Sequence, residues 1–285
     1  MPTAKRFSSL CVVLVAALLM SGCAQSVRHA GLEPIGIMGA LDSEIELIKQ
    51  GMRLHSSTVV SGRTFYEGDI EGHRVVLVKA GVGKVNAAMT AQIMTDRFKV
   101  RSMIFTGIAG GVNPELHVEY VVISNKVIQH DYGLMARDGF HPGGVPMSDT
   151  AGTWTDVPYF EPDSRLVAYA MKAAGRVSFP QPDSTVSPHV SGPIKVFEGC
   201  IVTGDQFIAS EEKRVWLQNT FDAYATEMEG AAVAQVSESN GVPFVIIRTL
   251  SDLANEDADI DIAKFFSYAA HNSAMLVLEM LRIMP

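Results

Sequence analysis

From Pro34 onward the chain alternates short apolar runs with helical patterns, and that alternation limits the accessible folds more than any other feature. Ile35 to Met38 read as a buried strand, and Asp42 to Leu54 as a helix with Ile45, Ile48 and Met52 on one face. Ser57 to Ile70 looks like two short strands around Gly62, and Val75 to Val78 is another buried strand. Gly81-Val82-Gly83 then turns the chain into an Ala-rich helix from Lys84 to about Phe98. Ser102 to Phe105 is strand, closed by the turn Thr106 to Gly111, and Tyr120 to Ile128 is strand again. Further on come a helix (Ser164 to Ala174), a strand (Cys200 to Thr203), a helix (Glu229 to Asn240), a strand (Pro243 to Ile247) and a long final helix (Ile260 to Ile283). This is the pattern of an α/β layer fold.

Residues 131 to 162 and 176 to 198 break the pattern, being rich in Gly, Pro, Ser and Asp. Regular pattern resumes after them with no second-domain signature, so they read as functional loops of one domain covering residues 34 to 285. A 47% hydrophobic content excludes a disordered chain. A net charge of −8, with no run of Lys or Arg, argues against a nucleic-acid partner.

The start of the chain is an address rather than part of the fold. Lys5 and Arg6 precede an uncharged 11-residue run, Leu10 to Met20, and then Ser21-Gly22-Cys23. The run is too short for the ~20 residues of a spanning helix and suits a signal-peptide core ending in small residues. It resembles a bacterial lipoprotein signal: residues 1 to 22 removed, Cys23 lipidated, residues 23 to 33 a tether. That implies a periplasmic protein held to a membrane by a lipid. An ordinary secretory signal or an uncleaved anchor is the plainer reading. Cleavage would remove two positive charges, take the net charge to −10, and leave Cys200 as the only unmodified cysteine, so no internal disulfide could form.

Familiar cofactor signatures fail. Gly81-Val82-Gly83 begins like a dinucleotide fingerprint, but Asn86 replaces the third glycine and no acidic residue ends the next strand. No phosphate-loop GK[ST] and no metal-ligand spacing occur, so neither cofactor nor metal is expected. His130-Asp131 is a possible site pair, although a lone His near a loop is commonly just hydrogen bonded. The acidic groups say more. Asp42 and Glu44 follow the first strand, Glu227-Met228-Glu229 opens a helix, and Arg248 to Asp252 leaves the apolar strand at Phe244 to Ile247. All lie where open α/β sheets place a ligand crevice. Helix capping explains Asp42, Glu44 and Glu227 taken singly. Glu229 and Asp252 resist it, because they adjoin the most apolar segments, where an unpaired carboxylate is costly.

Six separated motifs in this order resemble the nucleoside phosphorylase/nucleosidase family, most closely its methylthioadenosine/adenosylhomocysteine nucleosidase branch. They are Ile35 to Ala40 with Glu44, Lys79 to Ala88, Thr106 to Gly111, Thr203 to Ile208, Glu227-Met228-Glu229, and Arg248 to Asp252. The resemblance implies a three-layer α/β/α sandwich around a central twisted mixed sheet, a purine nucleoside substrate and a homodimer. Breaking a purine N-riboside develops positive charge on the sugar and negative charge on the base, so a site needs an acid, anionic stabilisation and a nucleophile. By resemblance Asp252 is the acid for the purine, Glu229 holds the ribose hydroxyls, and Met228 packs on the sugar. Glu44 with Arg248 holds the attacking water. Phe207 stacks on the base, the Ile208 backbone reads its edge, and Glu227, Ala109 and Gly110 belong to the substrate site.

A phosphate nucleophile wants cationic or backbone donors in the first loop, whereas Asp42 and Glu44 would repel a dianion, which favours water. Two departures matter. Ile108 stands where relatives often carry Ser, and the 131 to 162 segment is longer and richer in Gly and Pro. In the family this segment crosses a dimer to the 5′-substituent pocket, which makes Met135, Phe140 and Pro146 candidates for such contacts. A phosphate-using phosphorylase and a non-catalytic nucleoside-binding lipoprotein are the competing readings.

Overall fold

The computed structural model describes residues 33–149, 151–180 and 193–285. The expected signal segment, Cys23 and the tether up to Leu32 lie outside the described residues. From Glu33 to Pro285 the chain packs as one compact unit.

The first strand, β1 (Ile35–Gly39), is fully buried and pairs in parallel with β4 (His73–Lys79) and β5 (Ser102–Gly111). Between β1 and β4 lie α1 (Asp42–Gln50) and the antiparallel strands β2 (Arg53–Val60) and β3 (Arg63–Ile70). The expected helix over Asp42 to Leu54 is therefore shorter, because Gly51 caps it and the chain turns into β2 at Arg53. Ile45, Ile48 and Met52 are nonetheless all buried, as their spacing required. After β4, α2 (Lys84–Ile93) runs on through a π turn to Phe98.

The glycine run Thr106 to Gly111 is not a closing turn: β5 continues through it to Gly111. β6 (Val121–Gln129) follows, and the segment expected to be irregular folds into two hairpins. These are β7 (Gly133–Ala136) with β8 (Gly139–Pro142), and β9 (Val145–Ser148) with β10 (Trp154–Val157). Then come α3 (Ser164–Ala174), β11 (Val196–Thr203), α4 (Glu211–Phe221), β12 (Ala223–Glu227), α5 (Gly230–Ser239), β13 (Phe244–Asp252) and α6 (Ala258–Ile283). The Asp163 side chain caps α3 by accepting from the Arg165 and Leu166 amides at 3.0 and 3.1 Å.

Nine strands form one mixed sheet in the order β12-β11-β6-β13-β5-β1-β4-β3-β2. Helices cover both faces. Ile45 and Ile48 of α1, Leu166 and Ala170 of α3, and Val277 and Leu281 of α6 pack on one side. Ala87 and Ala91 of α2 with Ala231 and Ala234 of α5 pack on the other, where small side chains let the helices approach closely. This is the three-layer α/β/α arrangement. Each buried Ile, Leu or Phe contributes about 1.5–3 kcal/mol. One end of the sheet also curls shut, because β12 pairs with β11 on one side and with β5 on the other, at Ala225↔Gly111 and Thr226↔Gly110. The C-terminal ends of β5, β12 and β13 are thereby drawn together.

Candidate active site

A cleft of about 200 Å³ opens at those strand ends. Ala40 and Leu41 line it from the exit of β1, Ile108 to Gly110 from β5, Gln206 to Ile208 from the segment after β11. Thr226 and Glu227 contribute from β12, Met228 and Glu229 from the turn into α5, Ser251 and Asp252 from β13, and Ile262 and Phe266 from α6.

Glu44 sits in the first turn of α1, buried. Its Oε2 accepts from the Ala40 and Leu41 amides at 2.6 and 2.9 Å, and its Oε1 from the Ile108 amide at 3.0 Å. It thus caps its own helix and also joins that helix to β5. Burial raises its pKa, against the pull of Arg248 and of the three amides. Gly107 is what allows the approach: a Cβ there would lie 2.3 Å from Glu44 Oε1 and 2.4 Å from Arg248 Nη1.

Arg248 is fully buried with its guanidinium over the Phe105 ring, 4.3 Å from the centroid. Its Nη2 donates to Glu227 Oε2 and lies 3.5 Å from Glu229 Oε2, while its Nη1 has no protein partner. Glu227 also accepts from Thr203 Oγ1, from the Glu229 amide at 3.1 Å and from the Gly230 amide at 2.7 Å. Its oxygens are therefore committed to protein groups, and its part in the site is to fix Arg248 and the start of α5. Glu229 accepts from the Gly83 amide at 2.8 Å. Burial and the neighbouring Glu227 raise its pKa, opposed by Arg248 and the Gly83 amide.

Asp252 faces its partners across the cleft. The pairing of β13 with β5 slips between Leu250 and Asp252, a bulge that brings Asp252 opposite Gly110. A Cβ on Gly110 would come within 2.7 Å of the Asp252 Oδ1, so the glycine makes room for the carboxyl. Oδ1 accepts from the Ala254 amide at 2.9 Å and Oδ2 from the Ser251 hydroxyl at 2.8 Å. Burial raises its pKa past those two hydrogen bonds, with Asp261 and Asp259 adding to the rise. Burial thus raises the pKa of all three cleft acids, but Glu44 and Glu229 lie beside a guanidinium that opposes the rise, whereas Asp252 has none.

The cleft brings together Glu44, Glu229, Asp252, Glu227, Met228, Phe207, Ile208, Ala109 and Gly110, with Arg248 directly behind. Phe207 is 47% exposed, an open ring beside the cavity. Asp42 does not belong: its side chain is 79% exposed and pairs with Lys79 Nζ at 2.6 Å, outside the cleft. Arg248 to Asp252 do not leave the strand, since β13 runs on to Asp252. Met135, Phe140 and Pro146 lie on the hairpins and do not line the cleft; Met135 is 73% exposed, and Phe140 leans on Trp216 at 6.2 Å. Sequence reasoning missed Ser251, the donor to Asp252, and Thr203, the donor to Glu227. A hydroxyl directly before a buried-looking acid was the available signal for Ser251. For Thr203 there was none, because its partner is distant in the chain.

A family model described as the phosphorylase superfamily matches residues 34–282. The chain belongs to that superfamily. Within it, the chain is 36% identical over 249 residues to the 5′-methylthioadenosine/S-adenosylhomocysteine nucleosidase of Shewanella halifaxensis, covering 87% of this chain and 98% of the relative. Among solved structures it resembles that nucleosidase from Neisseria meningitidis, in complex with methylthio-immucillin-A. The TM-score is 0.75 at 34% identity, over 89% of this chain and 100% of the other. It resembles the futalosine hydrolase of Helicobacter pylori with the same TM-score at 29% identity, over 89% and 99% of the two chains.

Proposed function

We propose that this superfamily member is an N-glycosyl hydrolase that releases adenine from methylthioadenosine, S-adenosylhomocysteine and related 5′-modified adenosines. The carrying observation is the pairing of a buried Asp252, its pKa raised by burial, with the Glu229–Arg248–Glu44 cluster across one cleft. Phe207 stacks on the base and the Ile208 backbone reads its edge. Asp252 gives its proton to the purine N7 as the N-riboside bond breaks, and the leaving base departs neutral. Glu229 accepts the ribose hydroxyls and stabilises the cationic sugar, against which Met228 packs. A water on the cleft side of Glu44 adds to the ribosyl carbon, its proton passing to Glu44, while Arg248 behind the cleft holds Glu227 and Glu229 in place.

Water rather than phosphate is the nucleophile. Among the described residues lining the cleft there is no Lys or Arg, and Arg248 behind it is already shared by Glu227 and Glu229, so a phosphate dianion would find no unshared cation. The test is adenine release by the full-length protein from methylthioadenosine, S-adenosylhomocysteine and 5′-deoxyadenosine in phosphate-free buffer. Turnover without phosphate is expected. Strict phosphate dependence would make the protein a phosphorylase, and binding without turnover would make it a nucleoside-binding lipoprotein.

We also infer a lipid anchor at Cys23 and a periplasmic site, supported by the order of Lys5-Arg6, the apolar run and Ser21-Gly22-Cys23. Cys23→Ala should move the protein out of the membrane fraction; unchanged fractionation contradicts the anchor. A homodimer is supported by apolar side chains left open on β7 and α2, Leu134, Met135, Val85 and Met89. Light scattering at assay concentration should give twice the monomer mass, and a monomer overturns it.

A further inference from the structure

The base and the sugar of the proposed ligand are gripped by segments far apart in the chain. Gln206 to Ile208 follow β11, whereas Glu229 precedes α5. Both are tied to one short turn, Gly83-Lys84, at the start of α2. The Gly83 amide donates to Glu229 Oε1 at 2.8 Å, and the next amide, of Lys84, donates to Asp205 Oδ1 at 2.8 Å. Asp205 is the residue directly before the base segment. Two consecutive backbone donors thus hold the sugar carboxylate and the root of the base segment.

The Lys84 side chain closes the arrangement. Its Nζ lies 2.6 Å from Asp131 Oδ1 and 3.2 Å from Gln129 Oε1, and Asp131 Oδ2 accepts from the Asp205 amide at 3.0 Å. Lys84 and Asp131 side chains are only 19% and 18% exposed, so solvent screens the pair less than a surface pair. Burial works to raise the Asp131 pKa, but the Lys84 hydrogen bond and charge and the Asp205 amide outweigh it, and the carboxyl stays ionised. Gly83 has φ of 94°, and a Cβ there would sit 3.1 Å from Asp205 Oδ1, so the turn is built around a glycine. On the far side the His130 ring abuts Gly204, where a Cβ would come 2.3 Å from Nε2, leaving the loop little room to sink. Lys84, Asp131 and Asp205 do not themselves line the cleft.

We propose that Lys84, Asp131 and Asp205 are positioning residues that hold the base segment in register with Glu229, so that the site grips an intact nucleoside better than its separate halves. The proposal rests on the nucleoside reading above. A register device has a signature that a merely structural one lacks: it affects only ligands that span both halves.

The experiment measures equilibrium binding of two probes to the full-length protein, adenine alone and a 5′-methylthio C-nucleoside whose carbon–carbon ribosyl link cannot be hydrolysed. Asp131→Asn and Lys84→Met should each weaken the C-nucleoside about tenfold, the size of one lost charge-assisted hydrogen bond, and adenine by less than about twofold. The double variant should be no weaker than either single one, because both break the same link. Lys84→Arg should stay within about threefold of the wild type, and in turnover the variants should raise KM with kcat within about twofold. Equal weakening of both probes, or unchanged binding with only a lower Tm, overturns the proposal while leaving the nucleoside reading intact. A wild-type protein that binds neither probe removes both.

Discussion

Two buried carboxylates in this fold have opposite surroundings. Glu227, at the end of β12, meets a guanidinium, a hydroxyl and the amides of Glu229 and Gly230. Glu119, in the turn before β6, is fully buried with neither oxygen hydrogen bonded, on a backbone with φ of 75°. Burial pushes its pKa up to about 7. The first carboxylate has a donor for each oxygen, and the second has none to offset the cost of burying its charge. Asp252 stands between them, with two donors and a raised pKa. Burial alone does not tell an acid's role; the number of donors around it does.

The sharpest way to break the series is Asp252→Asn, which removes the proton the base needs. Turnover should fall by about 10²- to 10⁴-fold in the adenine-release assay, and full retention would remove Asp252 from the acid's role. Next in size is Glu227→Ala, which leaves Arg248 buried without its closest counter-charge and should cost about 3–5 kcal/mol in urea unfolding. A change under about 1 kcal/mol would show that the cluster is not rigid.

Glu119 should behave in the reverse sense. Its folded pKa lies above the ordinary carboxylate value, so the stability it lends is full below about pH 4.5 and is lost as pH rises through about 7. Glu119→Gln should therefore be more stable than the wild type at pH 8, by about 1–3 kcal/mol, with little difference at pH 4. A destabilised Gln variant at pH 8 would mean that Glu119 has a charged-state partner. The smallest expected effect belongs to Ser251→Ala. Loss of the hydroxyl that favours the ionised Asp252 raises its pKa further, so the alkaline fall in kcat should move to higher pH. A shift to lower pH would reverse the assignment.

Much of this was legible in the sequence, and the failures have physical causes. β1, α3 and α6 were readable because their apolar spacing matches one period throughout. β12 was not, since Ala223-Tyr224-Ala225-Thr226 gives little apolar signal for a strand buried by its position at the ring closure. The glycines of β5 imitate a turn because the same residue type that breaks a strand also lets Glu44 and Asp252 approach its backbone. Glu229 and Asp252 could be singled out by the cost of leaving an acid beside apolar strands, whereas Glu44 looked like a helix cap and stood out only through the family resemblance. Asp42 misled because an acid two residues before Glu44 looks the same in sequence, and only the direction of its side chain, toward Lys79, separates them. The odd conformation of Glu119 had no sequence signal at all.

The closure of the sheet by β12 against β5 also bears on how the protein comes to be. Residues 110 and 111 must meet residues 225 and 226, a contact between distant parts of the chain, with β6, β11 and β13 lying between β12 and β5 along the sheet. Loop-closure entropy defers such contacts, so the ring is expected to shut late in folding. Glu227 and Gly110 sit at that seam. A chain that has most of its core packed is then still without its active site, and recovery of catalysis should lag behind recovery of secondary structure during refolding.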